Sequence, residues 1–212
     1  MQKLLTLPRT EDFPLRPDAQ EWACAPCQPL VPVSGPLAYP TSVQCLYSNT
    51  GLYVRFLCRD RRLTCTCMED MGSLYLEDVT EFFLWPCEEL PVYFEYELSP
   101  LNRELCLLVC NTGDYYGWMP FEYTGGRQTR HYARAEEGQA LPLSDCTSWQ
   151  CGVYLPYALL EGLCRPPRPG DHWRANFFRI DYDGEEPTHF AWDPDTGKEF
   201  HQFRRFGTIL FG

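Results

Sequence analysis

A chain of 212 residues, 44% of them hydrophobic and 15% aromatic, is long enough to bury a full core and, if all-β, suits a single domain over 1–212. Its net charge of -11 excludes the basic footprint that phosphate binding needs, so neither nucleic acid nor an anionic membrane surface is an expected partner. No apolar run of about 18 residues occurs, and the opening MQKLLTLPRTEDFPL has no signal-peptide core, which predicts a soluble, cytoplasmic chain; composition leaves the oligomeric state open.

Residues 1–40 form a Pro-rich lead (Pro8, Pro14, Pro17, Pro26, Pro29, Pro32, Pro36, Pro40) that cannot be helical for long and reads as irregular, with Trp22 as the side chain to dock it. Residues 42–48 alternate weakly, Asn49-Thr50-Gly51 supplies a turn, and 52–58 alternate cleanly, which together predict a hairpin. Residues 59–72 are charged and loop-like. The stretch 73–98, SLYLEDVTEFFLWPCEELPVYFEYEL, then gives two strands around a turn at 86–91. Within VTEFFLW one charge intrudes: Glu81 shares parity with Val79, Phe83 and Trp85, a position that needs either a basic partner or a wet site.

Residues 105–110 predict a short buried strand, whereas 111–139 lack sustained periodicity and read in part as loop. Residues 149–155 alternate again. Pro156 to Gly162 predicts one or two helical turns, opened by Pro and closed by Gly. Strands are expected over 173–180 and 206–211. The fold class that follows is an all-β, antiparallel β-sandwich of two sheets with one short helix.

Of the twelve cysteines, Cys24 and Cys27 form a lone CxxC and Cys65 and Cys67 a CxC. Without a second matched pair or histidines at ligand spacing, no metal site is predicted from them, and they read as reduced, small apolar side chains. No GxSxG and no glycine-rich phosphate cradle is present.

The order GLYVRFLCRD (51–60), LEDVTEFF (76–83), YFEYE (93–97), WRANFFRID (173–181), HFAWDP (189–194) and FHQFRRFGTILF (200–211) resembles the carbohydrate-binding module family 9-like domains from about Trp22 onward. The resemblance implies a β-sandwich that holds a terminal sugar between two aromatic rings, in a family commonly appended to xylan-degrading enzymes. It places the rings at Tyr75 and Phe200 and a sugar-bonding carboxylate at Glu81. It also marks two departures: a basic contact of the sugar-binding members falls on Glu95, and an Asn falls on Gly197. Some members hold structural calcium, for which Asp181-Tyr-Asp-Gly-Glu185 offers oxygens, though as a solvated turn it needs no ion.

A pyranose needs flat rings for its C–H face and polar groups for its hydroxyls. Tyr75, Phe200 and Trp192 offer rings; Glu81, Glu95, Arg174 and Asn176 offer bonds, with an Arg174–Glu81 salt bridge as the structural alternative for that pair. The expected function is non-catalytic binding of a xylan- or cellulose-type oligosaccharide or sugar end. The alternatives are a glycoside hydrolase using Glu81 and Glu95 and a scaffold whose sugar site has decayed.

Overall fold

The computed structural model describes residues 2–37, 39–120, 123–136, 138 and 140–212. Thirteen strands follow in chain order: β1 (Leu4–Leu7), β2 (Gln28–Ser34), β3 (Thr41–Tyr47), β4 (Gly51–Arg59), β5 (Val79–Trp85), β6 (Val92–Leu98), β7 (Glu104–Asn111), β8 (Tyr116–Pro120), β9 (Arg130–Ala135), β10 (Ser148–Pro156), β11 (His172–Asp181), β12 (Thr188–Ala191) and β13 (Gly207–Phe211). They form two facing layers. The smaller runs β2-β3-β4-β10-β9, and the larger runs β8-β7-β6-β5-β11, where β11 pairs with both β12 and β13. Every ladder between these strands is antiparallel except β1 with β13, which is parallel, and a single parallel bridge joins Arg9 to Tyr47.

Alternation builds the core, because successive side chains of a strand point to opposite faces. Phe82, Leu84, Phe94, Tyr96, Cys106 and Phe177 from the larger sheet meet Val43, Val54, Phe56, Cys151 and Val153 from the smaller. The intervening residues of the larger sheet, among them Val79, Phe83, Tyr93, Leu107 and Phe178, form a second apolar cluster on its outer face, closed by Phe200, Phe203 and Phe206 from the chain's end.

The two predicted hairpins are β3–β4 and β5–β6, and the expected strands over 105–110, 149–155, 173–180 and 206–211 are β7, β10, β11 and β13. Two expectations need correction. The helix expected after Pro156 is a 3-10 turn over Tyr157–Leu160, one of six such turns among the described residues, which contain no α-helix. The stretch 111–139, expected to be loop in part, is so among its described residues and also carries two strands, β8 and β9.

Nor is the lead wholly irregular: it supplies β1, β2 and a 3-10 turn at Gln20–Cys24. Proline fits in β2 because each half of this strand pairs on one side only. Its first residues lie on β3 and its last on β12, so the missing N–H groups interrupt no ladder on the second side. The segment from Phe13 to Ala25 lies on the outer face of the smaller sheet. There Phe13 stacks on Tyr53 at 4.2 Å, Trp22 packs edge-on to Phe13, and the Arg55 guanidinium covers the Trp22 ring at 4.7 Å.

Gly207, in the closing Phe-Gly pair, is set by a close approach. A Cβ there would meet Trp192 Cζ3 at 2.4 Å and the Lys3 carbonyl oxygen at 3.0 Å. Gly207→Ala is therefore expected to cost about 1–3 kcal/mol of unfolding free energy in urea denaturation, the usual penalty of overpacking; an unchanged midpoint would show that Trp192 yields freely.

Candidate functional site

A cleft of about 450 Å³ opens on the outer face of the larger sheet, lined by Tyr75, Glu81, Glu95, Glu97, Tyr116, Trp118, Phe200 and His201 among others. Its floor is acidic for a topological reason. Glu81 of β5 lies directly across from Glu97 of β6, and Phe83 from Glu95, so the outward parity of both strands places three carboxylates side by side. They are 3%, 4% and 0% exposed for Glu81, Glu95 and Glu97 respectively.

Burial dominates their chemistry. It pushes Glu95 up to about 7 and holds Glu81 and Glu97 well above the usual carboxylate range, with mutual repulsion adding to the rise at Glu81 and Glu97. His201 stands beside them, its Nδ1 3.9 Å from Glu95 and 2.7 Å from the Tyr93 hydroxyl, and its Nε2 2.9 Å from the Tyr116 hydroxyl. Burial holds that imidazole down at about 4, so near neutral pH it is uncharged.

The rings border this floor. Tyr75 is 44% exposed on a 3-10 turn, Leu74–Leu76. Its segment is tied down by the acidic residues that flank it. Asp78 accepts from the Thr64 and Tyr182 backbone amides at 2.6 and 2.8 Å, Glu77 accepts from the amides of Thr66 and Cys67, and the Tyr182 hydroxyl donates to the Tyr75 carbonyl. Trp118, 60% exposed on β8, stands with Tyr116 at a ring separation of 6.0 Å. Phe200 borders the cleft too, but gives one ring face to Phe178, stacked at 4.0 Å.

Tyr75, Glu81, Glu95 and Phe200 thus come together at one cleft, which the end of the lead adjoins, Ser34 lying 2.8 Å from His189 on the cleft wall. Arg174, Asn176 and Trp192 do not, and the structure corrects their expected ligand roles. Arg174 turns to the 203–207 turn, donating to the carbonyls of Arg204 and Phe206, with Glu88 at 3.5 Å; it forms no bridge to Glu81. Asn176 is fully buried and exchanges two hydrogen bonds of 2.9 Å with the Asp193 backbone, which fixes the base of the loop carrying Phe200 and His201. Trp192 is a core residue against Phe177, because its strand parity and Gly207 direct it inward.

Glu97, Tyr116, Trp118 and His201 are additions. Glu97 shares the parity of Tyr93 and Glu95, a signal present in YFEYE, whereas Trp118 lies in a stretch with no clean periodicity.

At one end of the sandwich Asp60, Asp181 and Asp183 offer oxygens within 4.8 Å of one another, the only such group among the described residues and the place where the calcium expectation falls. Arg179 donates to both Asp60 and Asp181, so this donor set already has its cation and does not fit a calcium ion as it stands.

The two-layer sandwich is a fold found among solved carbohydrate-binding modules. More particularly, the fold is that of the family 9-like modules. A provisionally assigned carbohydrate-binding protein from Bacteroides uniformis ATCC 8492 superposes with a TM-score of 0.81 over 100% of both chains at 18% identity. A family 9 carbohydrate-binding module from Caldicellulosiruptor kristjanssonii in complex with cellotriose gives 0.69 at 13% identity, covering 99% of this chain and 93% of that one. A glucose complex of a family 9 module from the same organism gives 0.70 at 13% identity, covering 99% and 96%. No sequence-family profile matches the chain, and no curated protein sequence matches it significantly.

Proposed function

We propose that this chain binds a saccharide without turning it over, holding one end of a β-1,4-linked chain of the cellulose or xylan backbone type in the cleft above β5 and β6. The observation that carries the reading is the meeting of exposed rings, Tyr75 and Trp118, with buried carboxylates whose oxygens face the same space. Flat rings match the C–H face of a pyranose, and the carboxyl groups match its equatorial hydroxyls. The fold shared with modules solved in complex with cellotriose and glucose supports the same ligand class.

The hydrolytic alternative needs one carboxylic acid beside one ionised carboxylate. Burial pushes Glu81, Glu95 and Glu97 all in one direction and pairs none with a cation, which favours binding over acid–base catalysis.

Calorimetric titration with cello-, xylo- and chito-oligosaccharides is expected to give heat with at least one series, and Tyr75→Ala or Trp118→Ala to weaken that binding about tenfold or more. Absence of heat with every series would leave only a scaffold role. Release of reducing ends that stops in Glu81→Gln would establish the enzyme instead.

A further inference from the structure

Four oxygens in the cleft, Glu81 Oε1, Glu95 Oε2 and both of Glu97, are buried without a well-formed hydrogen bond to a described residue, Glu95 and Glu97 leaning on each other and on the Tyr75 backbone. Such groups are costly, and a folded chain retains them where a ligand completes them. No basic side chain of the described residues answers them. Lys198 sits exposed on the rim and forms no ion pair with a described residue, His201 is held uncharged by burial, and Arg174 is turned toward Phe206 and Glu88.

A positive partner would answer several of them at once, drawing off the protons that burial keeps on Glu81 and Glu97 in the free chain. It is also larger than a bare metal ion, since these oxygens do not converge as closely as those of Asp60, Asp181 and Asp183. Above them stand Trp118 and Tyr116, whose ring faces attract an ammonium group as well as a sugar's C–H face. A hydroxyl would satisfy any one of these oxygens, but an N–H of an ammonium group bonds a carboxylate about twice as strongly, and its charge favours ionisation of the others.

We propose that the cleft selects a cationic saccharide, a β-1,4-linked amino sugar whose ammonium group seats among Glu81, Glu95 and Glu97 while its ring stacks on Trp118 or Tyr75. This assignment rests on the saccharide reading above and specifies its ligand.

The test is calorimetric titration of the unaltered chain, near neutral pH and at low salt, with three trisaccharides of one backbone: the glucosamine trimer, its N-acetylated counterpart and cellotriose. The glucosamine trimer is expected to bind at least about tenfold tighter than the other two, an advantage that shrinks at high salt. In Glu81→Gln and Glu97→Gln the preference is expected to fall toward parity, because a neutral amide loses the ammonium more than it loses a hydroxyl.

Equal or tighter binding of cellotriose or of the N-acetylated trimer overturns the amino-sugar assignment while leaving saccharide binding intact. Spermidine binding as tightly as the glucosamine trimer overturns it as well, since the sugar ring would then add nothing. No heat with any trisaccharide overturns both readings together. The comparison on the unaltered chain needs no variant to fold.

Discussion

Arg179→Met is expected to lower the free energy of unfolding by about 3–5 kcal/mol, the cost of stranding buried carboxylates without their partner. Arg179 lies on the inward face of β11, fully buried, and its guanidinium ties the two sheets together at one end of the sandwich. It donates to Asp60 at 2.9 Å, to Asp181, to the Arg59 carbonyl at 2.7 Å and to the Thr41 hydroxyl at 2.9 Å. Asp60 also accepts from the Trp149 indole at 2.9 Å and from the amides of Arg61 and Arg62, so its carboxylate is fixed whether or not the arginine is present.

Urea denaturation of Arg179→Met alone, and of Arg179→Met combined with Asp60→Asn and Asp181→Asn, separates the causes. If the penalty is the stranded charge, the combined variant regains much of the loss, because removing the whole cluster removes the uncompensated carboxylates. A single variant within about 1 kcal/mol of the parent would contradict this account of the clamp.

Stability is expected to fall as pH rises from 6.5 to 8, by about 2 kcal/mol for each proton that the folded state retains across that interval. The sign follows from the direction of the shifts. Burial holds Glu81 and Glu97 well above the usual carboxylate range and Asp78 at about 8, so these groups keep protons in the folded chain that the unfolded chain has already released. Their stabilisation is whole below the unfolded carboxylate range and is lost as pH climbs through the folded values.

Glu95, at about 7, acts in the same sense over the lower part of the interval. His201 and His189, both lowered by burial, act oppositely, but only below about 6.5, where the unfolded imidazole takes up its proton. Denaturation curves at pH 6.5 and 8 therefore isolate the acids. In the double variant Glu81→Gln, Glu97→Gln the slope is expected to flatten; a parent whose stability rises over this interval would show that the cleft carboxylates are already ionised when it folds.

Much of the sandwich was legible because its strands are runs of aromatic and aliphatic residues between clear turn signals. Residues 52–58 and 149–155 alternate, while 79–85 and 173–180 are apolar on both faces, one against the core and one under the closing segment, and β4, β5, β10 and β11 followed. The edges were not legible. β8 and β9 lie at opposite ends of the two layers, where half the side chains meet solvent and the period-2 pattern dissolves into Gly, Tyr and charge. The lead concealed β1 and β2 because proline excludes central strands but not a strand paired on alternating sides.

The acidic half of the site was visible in Glu81, an intrusive charge whose parity required an explanation. Its setting was not. That Glu81 faces Glu97 depends on hairpin register, and which of two arginines on β11 would answer a carboxylate depends on parity: Arg174 points outward toward the final turn, Arg179 inward to Asp60. Phe200 kept its place beside the cleft yet spends one ring face on Phe178, a stacking that no linear pattern encodes, and the fully presented ring came instead from Trp118 on an edge strand.

Because Phe13 and Trp22 blanket the outer side of β3, β4 and β10, the molecule has a back and a front. The exposed thiols of Cys24 and Cys27 belong to the back. A bead or dye coupled through either one would leave the acidic hollow on the opposite side free of the tether.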